Sequence, residues 1–107
     1  MSQQRISKTK RQTINHLALY HYQSCPFCGI TREAIKYMEE GKPGKLIEQR
    51  DIQKQPEYRK ELIQGGGKAQ VPCLRVETDD GAIQWLYESR DIIAFLQHYT
   101  NALTAKN

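Results

Sequence analysis

The stretch Leu17-Ala18-Leu19-Tyr20-His21-Tyr22-Gln23-Ser24-Cys25-Pro26-Phe27-Cys28 decides how this 107-residue chain is read. Leu17 to Tyr22 is a short apolar and aromatic run of the kind that forms a buried strand, and Ser24, Cys25 and Pro26 punctuate its end. From Pro26 the period becomes helical, with Phe27, Ile30, Ala34, Ile35 and Met38 three to four apart, until Gly41, Pro43 and Gly44 stop it. Leu46 to Ile52 is the next strand. Pro56 then stands where a first helical residue would, ahead of Tyr58, Leu62 and Ile63, and Gly65, Gly66 and Gly67 close that helix. Val71–Val76 and Ile83–Tyr87 flank the turn-rich Thr78-Asp79-Asp80-Gly81 and predict a β-hairpin. Ser89 suits an N-cap, and Ile92, Ile93, Leu96 and Tyr99 give a last helix its apolar face. The predicted order is β-α-β-α-β-β-α, an α/β fold in which a parallel βαβ unit precedes an antiparallel hairpin and a closing helix around a mixed four-stranded sheet.

The length fits one domain, and area scaling lets roughly two-thirds of the unfolded surface be buried. Hydrophobic residues are 38% of the chain and mean hydropathy is −0.74, with no apolar run of the ~20 residues a membrane span needs. Met1 to Asn15 has basic residues without an apolar stretch behind them, which predicts a cytoplasmic protein. Of the net charge of +4, Arg5, Lys8, Lys10 and Arg11 supply all, because the other 12 basic residues balance the 12 acids. The basicity therefore belongs to a tail, expected over residues 1–16 as a flexible segment before a domain at 17–107, and not to a nucleic-acid-binding face.

Three cysteines without a leader argue for catalysis or metal and against a disulfide scaffold. Cys25 falls at the N-cap of the first helix and Cys28 one turn in. The unpaired N–H groups and positive dipole end there favour an anionic sulfur at Cys25, making it the nucleophile. Pro26 at the first helical position needs no N–H partner and keeps both sulfurs within disulfide reach, so that Cys28 becomes the resolving thiol. A zinc site would need two further ligands, and Cys73, His16, His21 and His98 stand singly.

Cys25-Pro26-Phe27-Cys28 after an apolar strand, then Val71-Pro72, then Glu88-Ser89 before a helix, resembles a glutaredoxin of the dithiol type, over about Leu17 to Tyr99. The resemblance implies the thioredoxin fold and a glutathione-dependent thiol–disulfide oxidoreductase in cell redox homeostasis. It implies a monomer that reduces protein disulfides or glutathionylated proteins, with glutathione as cosubstrate and no bound cofactor. In the family the proline matching Pro72 is cis and faces the active-site sulfurs, and the backbone at Val71 pairs with the cysteine backbone of glutathione. Glu88 and Ser89 match a Glu-Ser pair that takes the γ-glutamyl group, with Asp91 as the alternative acid. The helix N-terminus suits the carboxylate and an acidic side chain the ammonium. Many family members carry Lys or Arg where this chain has Tyr22, which here is either a core aromatic or part of the glutathione groove. Gln64 and Lys68 are then candidates for the glycine carboxylate. Cys73 is expected as a small core residue turned away from the side Val71 presents, with a secondary redox role as the alternative. Rival readings are a glutathione-transferase-like glutathione-binding domain and a non-catalytic metal-binding or adaptor domain.

Overall fold

The computed structural model describes residues 13–40 and 46–105. Its elements are β1 Ile14–His21, α1 Pro26–Glu39, β2 Glu48–Asp51, α2 Pro56–Glu61 continued by a wider π-helical turn over Leu62–Gly66, β3 Cys73–Thr78, β4 Ile83–Leu86 and α3 Ser89–Ala105. The sheet order is β2-β1-β3-β4. β2 runs parallel to β1 with His21 opposite Asp51, β3 antiparallel with Tyr20 opposite Cys73, and β4 antiparallel to β3 with Leu86 opposite Leu74. The predicted element order and mixed four-stranded sheet are those observed.

The Leu17–Tyr20 part of β1 is apolar because it is buried on both faces. Alternation sends Leu17 and Leu19 to one side, where they meet Leu74, Val76 and Ile47, Ile35 of α1 and Ile92 and Leu96 of α3. Ala18 and Tyr20 go to the other, with Cys73, Ile52 and Leu62. On that second face Tyr20 donates to Glu61 (2.8 Å), and Arg50 donates to both Tyr20 (2.7 Å) and Glu61 (3.1 Å). This network ties α2 to β1 and β2 and satisfies a tyrosine hydroxyl held among apolar groups. Its burial, with Glu61 beside it, pushes Tyr20 up to about 12.

Several expected boundaries moved. β1 starts at Ile14, so residues 14–16 belong to the sheet and not to the tail, of which residues 1–12 lie outside the described residues. The helix stop at Gly41, Pro43 and Gly44 also lies outside them; α1 ends at Glu39, with Glu40 already extended. β2 is shorter than expected because the Leu46 and Ile47 N–H groups bond the Glu39 carboxylate (2.8 and 3.0 Å) instead of a ladder. β3 begins at Cys73, after Pro72, which has no ladder donor to offer, and β4 ends at Leu86. α1 buries Cys28, Thr31 and Ile35, leaving Phe27 60% and Ile30 54% exposed. The Thr31 hydroxyl can sit on the buried face because it donates to the Phe27 carbonyl at 2.9 Å. Cys73 does not turn away from Val71: Val71, which precedes the strand, packs against the cluster containing Cys73.

The triple glycine has a packing reason as well as a conformational one. A Cβ on Gly65 would land on the Trp85 indole, and one on Gly66 on the Tyr87 hydroxyl. Gly67 caps the π turn at φ +96°, a left-handed conformation that disfavours any side chain. Among the described residues no helix is long and apolar enough to cross a membrane. We predict that Gly65→Ala lowers stability by about 1–3 kcal/mol through overpacking, measured as a fall in the urea midpoint, and that adding Trp85→Leu recovers part of the loss.

Candidate active site

The topology gathers the expected site at one end of the sheet. β1 leaves its ladder at His21 and turns through Tyr22-Gln23-Ser24 into α1, while antiparallel β3 enters at the same end from Val71-Pro72. β4, antiparallel again, exits there into Tyr87-Glu88-Ser89. Cys25 caps α1 in an extended conformation, Pro26 occupies the first turn, and the Cys28 N–H donates to Cys25 Sγ at 3.4 Å. The Cys25 N–H donates to the Tyr22 carbonyl (3.3 Å), and its carbonyl accepts from Gly29 (3.0 Å). The backbone of Cys25 is thus held from both sides.

The two sulfurs are unequal. Cys25 is 8% exposed and Cys28 fully buried, and burial, reinforced by the hydrogen bond with Cys25, pushes the Cys28 thiol up to about 12. Cys73 is also fully buried, and burial pushes it to about 12 as well. All three are free thiols.

The Val71–Pro72 peptide is cis. Tyr22 and Val71 are half-buried and pack against one cluster, with Tyr58, Trp85 and Tyr87, so Tyr22 has a core contact beside the segment that precedes Pro72. Ser89 is not the N-cap: α3 opens at Ser89 itself, and the Glu88 carbonyl accepts the Ile92 N–H (2.9 Å), which places Ser89 inside the first turn. Glu88 and Asp91 are exposed. Lys68 sets its ammonium 4.7 Å from the Tyr87 ring centre, and its carbonyl accepts from the Tyr87 hydroxyl (3.2 Å), so it is tethered one residue from Glu88. Gln64 lies elsewhere, lining a groove of about 760 Å³ with Tyr20, Arg50, Glu61 and Trp85, to which Cys25 and Cys28 do not contribute. Pro26 and Phe27, which separate the two cysteines in the chain, are exposed, as is Ile30.

Two participants carry no signal in the one-dimensional pattern. Arg32, on α1, folds back to donate to the carbonyls of Tyr22 (3.1 Å) and Gln23 (3.2 Å) and lies 3.1 Å from His21 Nδ1. Tyr87 donates its hydroxyl to the Lys68 carbonyl and, with Lys68, favours the anion of the Cys73 thiol that burial pushes up. Both contacts join residues distant along the chain.

The glutaredoxin family model matches residues 17–80, more than half of the chain. The chain belongs to the glutaredoxin family. Among solved structures, this glutaredoxin is similar to the J-Trx1 fragment of ERdj5, at a TM-score of 0.52 and 12% identity over 79% of its own length. It spans 42% of that fragment, and the likeness is one of fold. No curated protein matches it. Family and fold together place the chain in the thioredoxin superfamily.

Because Cys28 and Cys73 are buried thiols held high, iodoacetamide at pH 7 is expected to label the reduced, folded glutaredoxin once, at Cys25. Peptide mass mapping reads the sites, and all three cysteines should label once the chain is unfolded in guanidinium.

Proposed function

We propose that this glutaredoxin is a glutathione-dependent thiol–disulfide oxidoreductase of a reducing, cytoplasmic compartment, acting on glutathione mixed disulfides and protein disulfides through Cys25. The observation that carries the reading is the N-cap geometry, in which the Cys28 N–H points at Cys25 Sγ while the Cys28 thiol is itself buried. A donor and a helix N-terminus directed at one sulfur support its use as the attacking thiolate.

The Cys25 thiolate attacks one sulfur of a glutathione mixed disulfide and forms a new S–S bond, and the protein thiolate leaves and takes up a proton. A second glutathione thiolate then attacks the glutathione sulfur of the Cys25 adduct, giving glutathione disulfide and restoring the Cys25 thiolate. With a protein disulfide as substrate, Cys28 gives up its proton and attacks Cys25 to release the second thiol. The resulting Cys25–Cys28 disulfide is reduced by two glutathiones. Burial of Cys28 favours the first route, because a thiol near 12 offers little thiolate at neutral pH. Cis Val71–Pro72 and the open N-terminus of α3 at Ser89 support placing glutathione between them, its cysteine backbone along Val71 and its γ-glutamyl carboxylate at the first turn of α3. Exposed Glu88 or Asp91 meets the ammonium, and tethered Lys68 is the better-placed cation for the glycine carboxylate.

The test is reduction of a small glutathione mixed disulfide, coupled to NADPH through glutathione reductase. Cys25→Ser should fall to background while Cys28→Ser keeps most of the wild-type rate; a wild type without activity overturns the proposal.

A further inference from the structure

Arg32 sits on the second turn of α1 and sends its side chain back toward the helix N-terminus, the direction a helical side chain prefers. It spends its fork on three acceptors from successive residues. Nη1 lies 3.1 Å from both the Tyr22 carbonyl and His21 Nδ1, and Nη2 lies 3.2 Å from the Gln23 carbonyl. The Tyr22 carbonyl is the same one that accepts the Cys25 N–H, at 3.3 Å. One guanidinium therefore grips the peptide units through which β1 hands the chain to the nucleophile. We propose that Arg32 is a positioning residue for Cys25, pinning the His21-Tyr22-Gln23 turn so that Cys25 Sγ is held at the N-terminus of α1 under the Cys28 N–H. The proposal rests on the reading of Cys25 as the nucleophile.

The histidine reports on the grip. A guanidinium only donates, so His21 Nδ1 must accept, which leaves the neutral ring's proton on Nε2. A protonated ring would set an N–H against the guanidinium. Burial and the Arg32 charge both hold His21 below 6.5, with Lys54 adding to them, while Asp51 opposes. The backbone around it is set independently, since the His21 carbonyl accepts the Ile52 N–H at 2.9 Å and His21 pairs with Asp51 in the ladder. Loss of Arg32 should therefore free the ring and the turn without dissolving the strand. Lysine keeps the charge but not a planar fork that reaches three acceptors.

The experiment uses the reduced full-length chain as wild type, Arg32→Gln and Arg32→Lys. Histidine ¹⁵N spectra give the His21 tautomer and titration, and stopped-flow gives the second-order rate of Cys25 with oxidised glutathione. Expected in Arg32→Gln are a mixed His21 tautomer, a protonation midpoint moved upward, and a Cys25 rate down by about tenfold; Arg32→Lys should recover less than a third of that rate. Should Arg32→Gln fail to fold, Arg32→Lys is read alone, and a full wild-type rate in it overturns the proposal. The proposal also fails if Arg32→Gln leaves the tautomer and the rate at wild-type values, or if Arg32→Lys restores the rate completely, because charge alone would then suffice. A wild type inert toward oxidised glutathione would instead sink the reading of Cys25, while the His21 spectra still decide whether Arg32 grips the turn.

Discussion

Burial of Leu17–Tyr20 of β1 on both faces is the constraint on which the rest of this glutaredoxin depends. A segment covered by α1 and α3 on one side and by α2 on the other has no polar face to present, so its backbone polar groups have to be met in the ladders and at its ends. β2 and β3 take up the ladders. The C-terminal end is where the chain becomes polar again, at Gln23 and Ser24, and where it must begin a helix whose first N–H groups have no intrahelical partner. Cys25 stands at that point, so its sulfur sits where the fold leaves donors unused.

That placement makes two similar thiols different. One turn of helix carries Cys28 from the cap to the inner face, next to the sheet, where burial holds its proton. Cys25, at the rim, receives the Cys28 N–H instead. Cys73 shows that burial dominates for a thiol in this core, since it is held as high as Cys28 although Tyr87 and Lys68 both favour its anion. Position relative to the helix end and to solvent, more than residue type, separates a redox sulfur from a packing one.

The second face of the sheet is organised around close approach. Gly65 and Gly66 let the π turn lie directly on Trp85 and Tyr87, and Tyr87 in turn joins Lys68 to the start of α3. α2 is only six residues long, and beyond it the sheet face carries charged groups in pairs, Arg50 with Glu48 and Glu61 and Arg75 with Glu77, while His16 Nε2 lies 2.9 Å from Glu48. Each of these two arginines sits beside an anion, which lets charged side chains lie on a sheet without a helix above them.

How much was legible in the sequence follows the range of the contacts involved. The element order, the strand-turn-helix junction at Cys25 and the loss of a ladder donor at Pro72 were readable, because a 2- or 3.6-residue period, a proline and a helix cap act on their own few neighbours. The two residues that close the site were not. Arg32 meets residues 9 to 11 positions away, and Tyr87 reaches Cys73 and Lys68 across the sheet end. The apolar spacing that marked α1 as a helix ran through Phe27 and Ile30, yet the helix turned Cys28, Thr31 and Ile35 inward, since rotation about a helix axis is settled by what it packs on. By itself the sequence determined which segments form and that Cys25 caps its helix, through short-range backbone preferences. The tertiary structure alone decided which face is buried, that burial holds the Cys28 and Cys73 thiols high and what holds the turn, because those depend on desolvation and hydrogen bonds between groups that only the assembled sheet brings together.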